Sequence, residues 1–223
     1  MEQIGSPKQV LADSRTRQQR VRAFLDREGL DALVIGRQDN FAWLTAGGDN
    51  RVITTSEMGF GYLVITRDKK WLVSQSMDGQ RVIDEQMPGQ GYELVTSFWH
   101  QASPEQKLLT LTRGMAVGAD FPLEGARQYG KELVDLHYPL GDLDLQRCRW
   151  IGQTANRILT GVAQELERCV TEVEVAARIL HEYARAGMTI DVIIVGFDDR
   201  IKRYRHPMRS GNYLQRYALL QPA

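Results

Sequence analysis

Short runs of β-branched, leucine and aromatic residues, separated by stretches of helical periodicity, constrain this chain more than any other feature. Residues 31–36, 61–66, 71–74, 92–96 and 115–119 are apolar and too short for stable helices, so each reads as a buried strand. The second and third of these flank the polar Arg67–Lys70 and predict a β-hairpin. Helices are predicted between the strands. Val21, Phe24 and Leu25 fall at helical spacing within 15–27, ahead of Gly29, and a second helix is expected over Met77–Gln86. Ser103 and Pro104 open a third as N-cap and first helical residue. Gly125–Asp135 is predicted helical and His137–Leu140 extended. Strands interleaved with helices predict an α/β domain on a mixed sheet, closing near Leu145.

The pattern changes in the second half. Ile151, Ala155, Ile158, Leu159, Val162, Ala163 and Leu166 predict one amphipathic helix over 151–168. Thr171 and Glu174 form a capping box, which starts a helix over Glu172–Ala186 stopped by Gly187. Thr189–Gly196, rich in Ile and Val, reads as a strand. The expected organisation is one domain over residues 1–148 and another over 149–223.

Composition narrows the function classes. The chain has 223 residues, 43% hydrophobic and 25% charged, with a formal net charge of zero. That is an ordinary globular composition, and zero net charge supplies no drive toward nucleic acid or an anionic membrane, so neither is expected as a partner. Cys148 and Cys169 form no Cys-x-x-Cys pair. Met1–Val10 contains no apolar stretch of signal-peptide length, and no run of about 18 apolar residues occurs, so a cytoplasmic location is expected.

Most local motifs have plain readings. His181-Glu182 lacks the second histidine of a zinc helix, since Arg185 stands in its place. Gly59-Phe60-Gly61 and Gly89-Gln90-Gly91 precede strands and read as turn glycines, not dinucleotide loops. There is no Gly-x-Ser-x-Gly elbow and no phosphate-binding Gly-Lys-Ser/Thr loop. Asp198-Asp199, beside Arg200 and Lys202, reads as a solvated turn. From Arg200 to Ala223 there are six basic residues and no Asp or Glu. Arg200, Lys202, Arg203 and Arg205, with Tyr204 among them, suit either a phosphate backbone or an exposed loop balancing nearby acids, and the second fits better. Pro207 biases His206 to an extended backbone. The surrounding cations are expected to depress the imidazole pKa, leaving a neutral ring that could shuttle protons. Taken alone, the pair reads as structural.

Order along the chain adds meaning. Arg147 and its helix, Thr171-Glu-Val-Glu-Val-Ala-Ala177, Gly187, the strand over 190–196 and His206-Pro207 together resemble the pita-bread metallohydrolases: aminopeptidase P, prolidase and creatinase. The opening helix, residues 31–36, residues 40–47 and the hairpin look like that family's N-terminal domain. The resemblance implies a creatinase-like N-terminal domain with a mixed sheet and flanking helices, followed by an incomplete α+β pita-bread domain. It implies that His206 is a catalytic proton-handling or substrate-binding group, and that Arg51 holds a substrate carboxylate, reaching a neighbour's active site within a homodimer formed through the N-terminal domain.

A complete family member binds two divalent metal ions such as manganese through two Asp, one His and two Glu located after the histidine loop. Here 17 residues follow His206, and none is Asp, Glu or His. No metal ligand and no cofactor is therefore expected in this chain. The resemblance implies an Xaa-Pro aminopeptidase- or prolidase-like metallopeptidase, inactive as this chain alone, with a proline-containing peptide as substrate only if completed. The alternative is a non-catalytic binding or dimerisation member. A half-built second domain is expected to expose apolar surface from residues 151–168 and 190–195.

Overall fold

The computed structural model describes residues 4–223. Two compact units divide at Leu143/Asp144, within the first turn of a long helix.

The first unit is built on a six-stranded mixed sheet. Its elements are α1 (Pro7–Glu28), β1 (Ala32–Arg37), α2 (Gln38–Leu44), β2 (Met58–Thr66), β3 (Lys70–Gln75), α3 (Gly79–Arg81, continuing as a π-turn through Gln86), β4 (Glu93–Ser97), α4 (Pro104–Leu111), β5 (Val117–Ala119), β6 (Ala126–Gln128) and α5 (Lys131–His137). The strand order is β4-β3-β2-β1-β5-β6. β2 pairs antiparallel with both β1 and β3, while β3–β4, β1–β5 and β5–β6 are parallel. Because side chains alternate across a strand, β1 feeds two cores. Leu33 and Ile35 join Leu63, Ile65 and Leu72 against Phe24, Leu25, Phe41 and Leu44 of α1 and α2. Ala32 and Val34 join Val64, Trp71 and Val73 against Leu108 of α4. Covering both faces explains why these strands read as continuous apolar runs.

Several local expectations are corrected. The predicted helix over Gly125–Asp135 is instead β6 and α5: Gly125 turns at φ +73°, and Ala126–Gln128 pair in register with Val117–Ala119. Ladder hydrogen bonds from a distant strand override the local helical pattern. His137 ends α5 and stacks on Trp43 at 4.4 Å between ring centroids, so it does not begin an extended segment. Gly59 and Gly61 lie inside β2, not in a turn before it. A Cβ on Gly59 would fall 2.0 Å from the Asn50 amide, so that glycine accommodates a buried asparagine. The predicted Met77–Gln86 helix is only one α-turn and a π-turn, and Gly79 lets it lie close on β4, where a Cβ would meet Leu94 at 2.8 Å.

The second unit contains most of α6 (Asp142–Gln164), then α7 (Glu172–Arg185), β7 (Ile193–Phe197), α8 (Asp199–Arg203) and β8 (Ala218–Pro222). β7 and β8 form an antiparallel pair. Ile158 and Val162 of α6 pack with Val175, Ala176, Ile179 and Tyr183 of α7 and with Ile193, Val195 and Phe197 of β7. The expectation of exposed apolar surface holds only in part, because α6 and α7 close over one face of the strand pair and bury β7. Ile151 and Val192 remain about half exposed, and a shallow groove of 520 Å³ lies between Leu159 and Ala163 of α6, Leu166 just after it, and Ala218 and Leu220 of β8.

Candidate functional site

The loop bearing His206 is held by a buried carboxylate. Thr171 caps α7 with the expected box: its side chain accepts from the Glu174 N–H, and the Glu174 side chain accepts from the Thr171 N–H at 2.8 Å. This places Glu172 in the first turn, fully buried. One of its oxygens accepts the Phe197 N–H at 2.8 Å, at the end of β7. The other accepts the Ser210 N–H at 2.7 Å, the Ser210 hydroxyl at 2.6 Å and a guanidinium N–H of Arg200. Arg200 also donates to the Met208 carbonyl at 2.8 Å. One carboxylate thus fastens the end of β7, α8 and the return of the loop. Burial pushes the Glu172 carboxyl up, but the Ser210, Arg200 and Phe197 donors outweigh it and hold the group below the usual carboxylate value.

Within this frame Pro207 is buried and His206 is exposed. A Cβ on Gly196 would lie 2.4 Å from the Pro207 ring, so proline occupies the space that glycine leaves on β7. Anchoring Pro207 there directs its neighbour outward. His206 makes no hydrogen bond or ion pair among the described residues, so its ring is available to a ligand.

Asp198 is a clamp, not the solvated turn expected of the Asp198-Asp199 pair. Its carboxylate accepts the N–H groups of Gln215, Arg216 and Tyr217 at 2.9–3.1 Å, and its own N–H donates to the Tyr217 carbonyl. These bonds offset an unusual backbone of φ +50°, ψ −125°, a conformation costing about 1–3 kcal/mol. Slight burial raises this carboxyl, and the three N–H donors with the Arg216 charge bring it below its ordinary value. The basic cluster is partly neutralised, Arg200 by Glu172 and Lys202 by Asp199 at 3.4 Å, whereas Arg203 and Arg205 are exposed.

Arg51 lies in the first unit and His206 in the second. Its loop is wedged by buried Asn50, whose carbonyl accepts the Phe60 N–H at 2.7 Å. The Arg51 guanidinium forks onto Asp49 at 2.8–3.0 Å, and Asp49 takes a further bond from the Arg51 N–H. Partial burial raises the Asp49 carboxyl, but Arg51 overcomes this and lowers it. A substrate carboxylate would therefore share Arg51 with Asp49. Sequence reasoning missed Glu172 and Ser210, and took Asp198 for a solvated residue instead of a clamp. Glu172 looks like any acidic first-turn residue, and only the fold-back of residues 204–212 buries it.

Among the described residues, no three His, Cys, Asp or Glu side chains are grouped to hold a metal ion. No described helix is long and apolar enough to cross a membrane.

Residues 17–136 match the model of the Creatinase/Prolidase N-terminal domain. No curated protein matches the chain by sequence. Among solved structures, the fold is similar to an Xaa-Pro dipeptidase from Bacillus anthracis, with TM-score 0.68 and 11% identity over 94% of this chain and 60% of that one. It is also similar to a prolidase from Pyrococcus horikoshii OT3 (TM-score 0.69, 13% identity, 92% of this chain and 59% of that one). A recombinant prolidase from Thermococcus sibiricus gives TM-score 0.70 at 12% identity, covering 93% and 60%. The chain spans no more than 60% of the length of these three structures.

Proposed function

Because the chain belongs to the creatinase/prolidase N-terminal domain family, we propose that it supplies the assembly and substrate-facing part of an Xaa-Pro peptidase and does not hydrolyse peptides by itself. The observation that carries this reading is the continuity of the fold likeness, which runs through both units over 94% of the chain. Dimetal chemistry does not fit the residues present, since the described side chains assemble no group of three ligands, and no metal-assisted step is assigned to them.

The roles left to this chain are binding and orientation. His206 offers a ring nitrogen to a peptide carbonyl or leaving group, with Pro207 and the Glu172 node fixing where the ring stands. Arg51 offers a guanidinium to a substrate carboxylate, pre-oriented by Asp49. In this proposal the first unit forms a homodimer. Phe98 and Trp99 support that, because they stand 55% and 69% exposed after β4, with His100 against both rings. Large exposed aromatics of this kind are common interface anchors.

The test is to incubate the purified chain with an Xaa-Pro dipeptide, with and without manganese, while sedimentation velocity reports its mass. The expected result is no turnover in either condition and a dimer that W99S converts to monomer. Turnover of the dipeptide by this chain would overturn the assignment of roles, and a monomeric wild type would overturn the dimer.

A further inference from the structure

A second set of polar groups lies far from the His206 loop in sequence, where α1, the start of β3 and the entry to β4 meet. Arg15 and Arg22 are two helical turns apart on α1, with Gln18 between them, so all three share one stripe of the helix. Lys70 opens β3, half-buried, and donates to the Gln18 side chain at 2.8 Å. Its ammonium stands 5.0 Å from the centre of the Tyr92 ring. Tyr92 is nine-tenths buried, and its hydroxyl has no hydrogen-bond partner. The Arg22 Nε is also buried without a partner.

The charges do not balance. The charged neighbours that act on Lys70 are Arg22 and Arg15, and with burial they lower its pKa. The nearest acids along α1, Asp13 and Asp26, pair instead with Arg17 and Arg67. The Arg15 and Arg22 side chains make no hydrogen bond or ion pair among the described residues. An ammonium has three donors, of which Gln18 takes one, and each guanidinium has five. Like charges on half-buried Lys70 and Arg22 repel one another more strongly than they would in water. A single carboxylate offers two oxygens and one charge, whereas a phosphate group offers more oxygens and close to two negative charges.

We propose that Arg15, Arg22 and Lys70, on the side of α1 that faces Tyr92, form a binding site for a small phosphate-bearing anion. The anion bridges the two guanidinium groups and the ammonium. The ligand is inorganic phosphate or a small phosphomonoester, which share this chemistry.

Titration calorimetry of the full chain with inorganic phosphate, at constant ionic strength set with sodium chloride, tests the site. Saturable binding of one phosphate per chain is expected. R22Q and K70Q should each weaken it about tenfold, as loss of a charge-assisted donor implies. R15Q, at an exposed position, should weaken it about threefold, and R216Q in the other unit should leave it unchanged. Glycerol phosphate binding more tightly than inorganic phosphate would assign the ester, and equal or weaker binding the free ion; either upholds the site. Absence of saturable binding to both probes, or equal loss in R216Q and R22Q, would overturn it.

Discussion

At the scale of single residues, the loop that carries His206 depends on groups that do not touch a ligand. Glu172 is a charge without solvent, stabilised only because two backbone N–H groups, a hydroxyl and a guanidinium converge on it. Replacing it with glutamine leaves Arg200 without its anion and turns an amide N–H toward other donors. Breaking a buried pair from one side typically costs about 3 kcal/mol or more, so E172Q should lower the urea unfolding free energy by about that amount. The pH dependence has a definite sign. The folded-state pKa lies below the ordinary carboxylate value, so this contribution is present above the unfolded pKa and fades as pH falls through the folded one. Urea titrations from about pH 7 to about pH 3 should show a steeper loss in wild type than in E172Q. The outward placement of His206 beside buried Pro207 follows from a proline that restricts its neighbour. The role of Glu172 was not legible in the sequence, because nothing in Thr-Glu-Val-Glu tells which glutamate a later loop will cover.

At the scale of elements, local signals succeeded where the local interaction is also the deciding one. The Thr171–Glu174 box starts α7 as expected. An equivalent signal, Ser6-Pro7-Lys8-Gln9, starts α1 at Pro7 through a full capping box, well before the apolar periodicity begins, and was overlooked. Local signals failed for β6, whose Ala-Arg-Gln is a good helix sequence that an adjacent parallel strand recruits. The contact between β7 and the loop is equally non-local and equally testable. Adding a methyl at Gly196 pushes Pro207 off the strand, an overpacking cost of about 1–3 kcal/mol. G196A should lower the unfolding free energy by that amount and should speed tryptic cleavage after Arg203 and Arg205, measured by mass spectrometry, because the loop loses its anchor.

At the scale of the whole molecule, the two units hold separate apolar cores. Both faces of the six-stranded sheet are covered by residues of Gly5–Leu143. A fragment of residues 5–143 should therefore fold alone and unfold in one cooperative transition by calorimetry, with near-UV dichroism from its packed aromatics. A fragment that binds a hydrophobic dye and melts without a transition would show that this core needs more chain than it contains.

The amino-acid sequence by itself determined the class of the fold and the order of most elements. Strand length, helical period, caps and turn residues act between neighbours in the chain, and their physics is complete within a few residues. It also carried the family resemblance, since that rests on the order of such signals. Tertiary structure alone decided which carboxylate is buried, where β6 pairs, which glycines make room for Asn50 and Pro207, and that Lys70 lies over Tyr92. Each of those outcomes joins groups distant along the chain, and its energy comes from desolvation and contact that exist only once the chain has closed on itself.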